Sequence, residues 1–199
     1  MMVKICGITN REDAEAAAEG GASALGFNFW PRSPRYIAPD RAAPVLENLP
    51  PRVSKVGVFV NEQFQTVERL MTELGLDVAQ LHGRSTPGAA SFRVWRAVAV
   101  GPEFQLSELE DEKAEAFLLD APAGDRHGGT GQTFDWSLVA GAATKIIVAG
   151  GLDASNVRAA IRTARPWGVD ACSRLESAPG KKDHGKMAEF LKAALSENV

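Results

Sequence analysis

From one end to the other the chain alternates short apolar runs of strand character with amphipathic runs of helical character, and few folds accept that pattern. Strand candidates fall at 3–6, 23–27, 53–59, 77–81, 94–99, 116–120, 145–149 and 168–172. Most are rich in Val, Ile, Leu, Phe and Ala, as parallel strands covered on both faces are. Helix candidates lie between them, near 10–20, 39–48, 62–74, 85–92, 103–113, 135–142, 153–165 and 184–196. Thr9 with Glu12 stands at capping-box spacing, Asn61 precedes Glu62, and Asp153 precedes a run ending at Arg165; each is a helix start signal. The run at 103–113 is acidic and weakly patterned and is expected to be short or irregular. Eight βα units in series make either a closed barrel or a doubly wound sheet. Their number and even spacing favour an α/β fold, a small (β/α)8 barrel occupying 1–199 as one domain.

The bulk properties narrow the function. A net charge of -3 argues against nucleic acid as the main partner, since a phosphate-backbone footprint shows as a basic excess. It leaves room for one phosphate group, which backbone N–H groups bind without Lys or Arg. Two cysteines far apart, Cys6 and Cys172, make no disulfide framework. No signal-peptide run opens the chain and no stretch is long enough to span a bilayer, so a reducing cytoplasm is the expected location. The expected partner is a small phosphorylated substrate, with no nucleic acid and no membrane. Contact with a second copy or with a pathway enzyme stays open, as does whether Trp136 and Trp167 are core anchors or interface residues.

A barrel of this kind gathers its chemistry just after the strand C-termini. The unusual residues fall there. Cys6 ends the first strand beside Gly7. Arg35 lies in Trp30-Pro31-Arg32-Ser33-Pro34-Arg35-Tyr36, where two prolines stiffen a loop that can present a guanidinium to a carboxylate or phosphate. Asp120 ends an apolar strand; position alone does not separate a general acid of raised pKa from a carboxylate that caps its own loop. Gly150-Gly151 followed by Asp153 joins a strand to a helix start, a backbone suited to phosphate. The glycine-rich loop from Asp120 to Gly131 is long enough to fold over a ligand; His127 within it reads as solvated. Lys4 shares the parity of Cys6. It either supplies positive potential beneath the thiol or neutralises a buried acid such as Asp170.

Lys4-Ile5-Cys6-Gly7-Ile8-Thr9, Gly26-Phe27-Asn28-Phe29 with Ser33-Pro34-Arg35-Tyr36-Ile37, Gln80-Leu81-His82-Gly83, and Gly128-Gly129-Thr130-Gly131 with Phe134-Asp135-Trp136 together resemble the phosphoribosylanthranilate isomerase family. So do Ala149-Gly150-Gly151-Leu152 and the tail Glu176-Ser177, Pro179-Gly180 and Lys182-Asp183. The resemblance implies an Amadori rearrangement in tryptophan biosynthesis, with no metal or organic cofactor. It makes Asp120 the general acid and Cys6 the base. It makes Arg35 the holder of the anthranilate carboxylate, and it makes Gln80, His82 and Gly129 substrate-binding positions. Gly150, Gly151, Ser173 and Arg174 would cradle the phosphate.

One segment departs from the pattern. Asp170-Ala171-Cys172-Ser173-Arg174-Leu175-Glu176 stands where the family commonly shows Ser-Ser-Gly-Val-Glu, so Cys172 replaces a serine and Arg174 a glycine. If that glycine used a positive φ, arginine would strain the turn by about 1–3 kcal/mol. Otherwise the Arg174 backbone still meets phosphate while its side chain adds charge or pairs with a nearby acid. Cys172 reads as a structural thiol in place of a hydroxyl, or as a second reactive sulfur. Two rival functions fit the residues less well. The related histidine-pathway isomerase would place an acidic residue at Cys6, and a non-catalytic ligand sensor would have no use for both Cys6 and Asp120.

Overall fold

In the computed structural model, which describes residues 1–85, 91–109, 114–122 and 132–197, eight parallel strands close on themselves in chain order. They are Met2–Cys6 (β1), Ala24–Asn28 (β2), Ser54–Val60 (β3), Val78–His82 (β4), Arg93–Ala99 (β5), Ala116–Asp120 (β6), Ile146–Val148 (β7) and Gly168–Ala171 (β8). β8 returns to β1 in parallel, with Lys4 opposite Asp170 and Ile5 opposite Ala171. The eight strand expectations are borne out to within a few residues, because a fully covered strand needs an apolar run and little else.

The helices are less regular. Arg11–Glu19 (α1), Pro39–Glu47 (α2), Phe64–Glu73 (α3), Val157–Ala164 (α4) and His184–Leu195 (α5) are the α-helices among the described residues. Among the described residues, the segment at 103–113, expected to be short or irregular, holds the 3-10 turn Leu106–Leu109, and the helix expected at 135–142 is a 3-10 turn, Trp136–Val139. The helix expected at 85–92 lies largely outside the described residues. The expected caps also shift. Asn10, not Thr9, caps α1, accepting from the Asp13 amide at 2.8 Å, while the Thr9 hydroxyl donates to the Gly180 carbonyl. Asn61 has φ 51 and accepts from the Arg84 amide, and Gln63 occupies the N-cap of α3. Asp153 folds a polar turn with Ser155 and Asn156, which delays α4 to Val157. Asn and Asp bond nearby backbone readily, so each competes with the cap a spacing rule would choose.

Two cores result. Between barrel and helices lies a large one that includes Ile5, Leu25, Phe27, Phe117, Ile161 and Phe190. Inside the barrel, Ala24, Val56, Val78, Trp95, Ala116, Leu118, Ile147 and Ala149 close the lower half. Trp95 fills that space beside small neighbours and meets Trp167 edge-on, centroids 5.8 Å apart. Trp136 and Trp167 are half-buried, packed against the outer and the inner core respectively. Beyond β8 an antiparallel pair, Glu176–Ala178 (β9) with Lys181–Lys182 (β10), folds back at the barrel mouth. No helix among the described residues is long and apolar enough to cross a membrane.

Candidate active site

Period-two alternation sends Lys4 and Cys6 of β1 into the barrel, and Asp170 of β8 with them. Lys4 Nζ lies 2.9 Å from Asp170 Oδ1, with both side chains buried. The neutralising role expected of Lys4 is therefore present, and the potential beneath the thiol is present too. Gly26 on β2 makes the room: a Cβ there would fall 2.8 Å from Cys6 Sγ and 3.1 Å from Lys4 Nζ. Cys6 is drawn well below the ordinary thiol pKa by a hydrogen bond from Cys172 and, against the cost of burial, by the Lys4 and Lys182 charges. Burial pushes Asp170 up to about 7 despite Lys4.

Asp120 ends β6 at the same cavity. Its Oδ1 is buried without a hydrogen-bond partner among the described residues. Burial raises its pKa to about 6, with the Ala121 amide pulling the other way and Cys6 adding to the rise. Gly150, at φ 82, lies against it; a Cβ there would sit 2.5 Å from Asp120 Oδ1. So Gly150 shapes the acid's pocket as well as ending β7.

The loop after β2 is held in place before any ligand arrives. Asn28 accepts from the Trp30 amide, Ile37 donates to the Asn28 carbonyl, and Ser33 accepts from the Arg35 amide. Arg35 then reaches Glu176, its Nε and Nη2 donating at 2.8 Å each. Lys182 Nζ meets the same carboxylate at 3.0 Å and the Cys172 carbonyl at 3.3 Å. Burial works against the Glu176 charge, but Arg35 and Lys182 outweigh it and hold the carboxyl below its usual range. Glu176 and Lys182 are not among the site residues expected from the sequence. In the sequence they stand in the family-like tail, at the charged ends of a Pro179-Gly180 turn that by itself marks a surface hairpin and assigns them no role.

Cys6, Asn28, Arg35, Gln80, His82, Asp120 and Cys172 line one cavity of about 430 Å³. Gln80 Nε2 and His82 Nε2 are 2.8 Å apart on its β4 wall. With the amide donating, the imidazole accepts at Nε2 and carries its proton on Nδ1. Five of the expected residues thus share one space: Cys6, Arg35, Gln80, His82 and Asp120. Gly150 and Gly151 follow β7, with Gly150 against Asp120, and Ser173 and Arg174 follow β8; none of the four lines that cavity, and Arg174 lines a second one with Asp153 and Lys186. Gly129 and His127 lie outside the described residues.

The sequence model of the N-(5′-phosphoribosyl)anthranilate (PRA) isomerase family matches residues 3–193. The N-(5′-phosphoribosyl)anthranilate isomerase of Solibacter usitatus is 52% identical over 196 residues, covering 98% of this chain and 97% of that protein. This chain belongs to that family. A crystal structure of monomers generated from the dimeric enzyme of Thermotoga maritima superposes with a TM-score of 0.87 at 38% identity, covering 99% of this chain and 100% of that one. A second isomerase structure holds reduced 1-(o-carboxyphenylamino)-1-deoxyribulose 5-phosphate; it matches with a TM-score of 0.85 at 37% identity, covering 99% of this chain and all of that one (100%).

Against the isomerase pattern, the altered loop after β8 is unstrained at Arg174. Among described non-glycine residues only Asn61 and Arg165 have positive φ, and Ser173–Leu175 form a 3-10 turn. The side chain of Arg174 is exposed and Nη1 pairs with Asp153 Oδ2 at 2.9 Å. The expected penalty of a glycine replacement is absent, and the expected pairing with a nearby acid is present.

Proposed function

We propose that this isomerase opens and rearranges N-(5′-phosphoribosyl)anthranilate with Asp120 as acid and Cys6 as base. Asp120 protonates the ribose ring oxygen as the ring opens to an iminium. Cys6 removes the C2′ proton, and the enolamine that results tautomerises to the ketone, 1-(2-carboxyphenylamino)-1-deoxyribulose 5-phosphate. Protons move and no electrons leave the substrate. Arg35 receives the anthranilate carboxylate. Glu176 occupies its Nε–Nη2 edge, so the guanidinium is oriented while its Nη1 hydrogens stay directed to a ligand. Gly150, Gly151, Ser173 and Arg174 offer backbone N–H groups to the phosphate, beside the start of α4. Gln80 and His82 bound the substrate from β4. The reading places the enzyme in a reducing cytoplasm, in keeping with two unpaired cysteines at the site.

One observation carries the assignment of roles. A thiol pulled down and a carboxyl pushed up to about 6 face one cavity, so a base and an acid coexist near neutral pH. The test follows the loss of substrate fluorescence, with substrate generated in place, for wild type, Cys6→Ala and Asp120→Ala. Each variant should lose about 10²–10⁴-fold in turnover. A folded variant that keeps wild-type turnover removes its residue from the mechanism.

A further inference from the structure

Cys172 has no duty in the acid–base pair, yet it stands beside the base. β1 and β8 pair Lys4 with Asp170 and Ile5 with Ala171; Cys6 ends β1 and Cys172 follows the end of β8, each one residue beyond the last pair. Neighbouring strands lie about 4.8 Å apart, which falls inside the Cα separation a disulfide spans. Both side chains point the right way. Lys4 and Asp170 touch at 2.9 Å inside the barrel, and residues two further on share their side of each strand. The Cys172 sulfur also packs against the residue that follows Cys6: a Cβ on Gly7 would lie 2.9 Å from it. The Cys172 thiol lies 3.9 Å from Glu176 Oε1 and 3.8 Å from Lys182 Nζ, and both sulfurs line the open cavity.

We propose that Cys6 and Cys172 are a reversible oxidation site, forming a disulfide that a hydroperoxide sets and a dithiol releases. The surrounding charges suit it. Lys4 lies beneath Cys6, Lys182 Nζ is 3.8 Å from Cys172 Sγ, and Arg35 adds a third cation against the carboxyls of Asp170, Glu176 and Asp120. The Cys6 thiolate attacks the O–O bond of the peroxide, forming Cys6–SOH and releasing an alkoxide that is protonated to the alcohol. Cys172 sulfur then attacks the sulfenic sulfur. The S–S bond forms, hydroxide leaves, and the proton given up by Cys172 converts it to water. Two thiols are oxidised by two electrons and one peroxide is reduced. The cross-link consumes the base, so activity stops until a dithiol restores both thiols.

The effect on activity rests on Cys6 being the base; the cross-link itself does not. The experiment treats reduced wild-type protein with hydrogen peroxide, blocks remaining thiols by alkylation, and reads intact mass, non-reduced peptides and isomerase turnover together. The expected result is a species two hydrogens lighter, a linked peptide pair containing Cys6 and Cys172, and turnover lost in proportion and regained with dithiothreitol. Cys172→Ser, scored against its own reduced turnover, should instead carry Cys6 on to the sulfinic acid and stay inactive after dithiothreitol. Wild-type protein that loses both free thiols one by one to sulfinic acids, with no linked peptide, overturns the proposal. So does protein whose two thiols still alkylate fully after peroxide. A linked peptide that leaves turnover untouched upholds the oxidation site and sinks Cys6 as base.

Discussion

The floor and the rim of the cavity treat carboxylates in opposite ways. On the floor, Asp170 has Lys4 in hydrogen-bond contact and Asp120 feels Lys4 only weakly, and burial raises them to about 7 and about 6. At the rim, Glu176 is also well covered but holds two cations, Arg35 and Lys182, and it is driven down. Depth alone therefore does not decide where a proton sits; the number of cations at each carboxylate does. The floor pair is neutral in itself. The rim triad carries one positive charge in excess, placed where a thiolate and an anionic substrate both need it.

Asp120 gives the largest expected effect. Its carboxyl titrates at about 6, and the acid role needs the proton, so kcat/KM should fall as pH rises through that value. The loss approaches tenfold per pH unit, about 100-fold two units above. A pH–rate profile of the wild type, with no falling limb near 6, breaks the contrast between a cation-poor floor and a cation-rich rim.

Next in size is Lys4→Met. It leaves Asp170 buried without its partner, and denaturant titration should show a loss of about 3–5 kcal/mol. Adding Asp170→Leu should recover most of that stability, because a buried pair and a packed apolar pair differ little. The double variant should still turn over poorly, since Cys6 has lost a cation that lowers it.

Glu176→Gln sharpens the other side. It removes the charge shared by Arg35 and Lys182 and should cost about 2–3 kcal/mol at neutral pH. The folded pKa of Glu176 lies below its unfolded value, so its contribution is present above the unfolded pKa. It is lost as pH falls through the folded value. The gap between wild type and variant should thus hold at neutral pH and shrink below about pH 4. KM should rise more than kcat falls, because Arg35 loses its orientation. Smallest is Arg174→Gly. An exposed pair such as Arg174–Asp153 contributes about 0.2–1 kcal/mol, so thermal melting should barely move. A larger loss of stability would mean the arginine packs as well as pairs.

The barrel was readable because β1, β4 and β6 are apolar runs whose neighbours impose the same requirement. Cys6, Asp120, Gln80 and His82 were readable for a related reason, since strand ends deliver side chains to one mouth. Helix starts were not. Thr9 and Asn10 are both good caps, and the choice turned on Asp13 and Gly180, the latter far along the chain. The weak pattern near 106 already foretold a short, irregular piece, whereas the 3-10 turn near 136 in place of a helix did not show in the sequence. Glu176 and Lys182 were hidden most deeply. Their meaning comes from Arg35 and Cys172, and the Arg35 contact crosses 141 residues of sequence.

The closing of β8 on β1 also sets when the site exists. The Lys4–Asp170 contact spans 166 residues, and the Glu176–Lys182 pair follows it in the chain. A ribosome therefore releases the thiol and Lys4 first, and Cys172 and Lys182, which also draw the thiol down, last. No nascent chain short of the final strand and its hairpin holds an activated Cys6, so a truncated product carries an ordinary thiol.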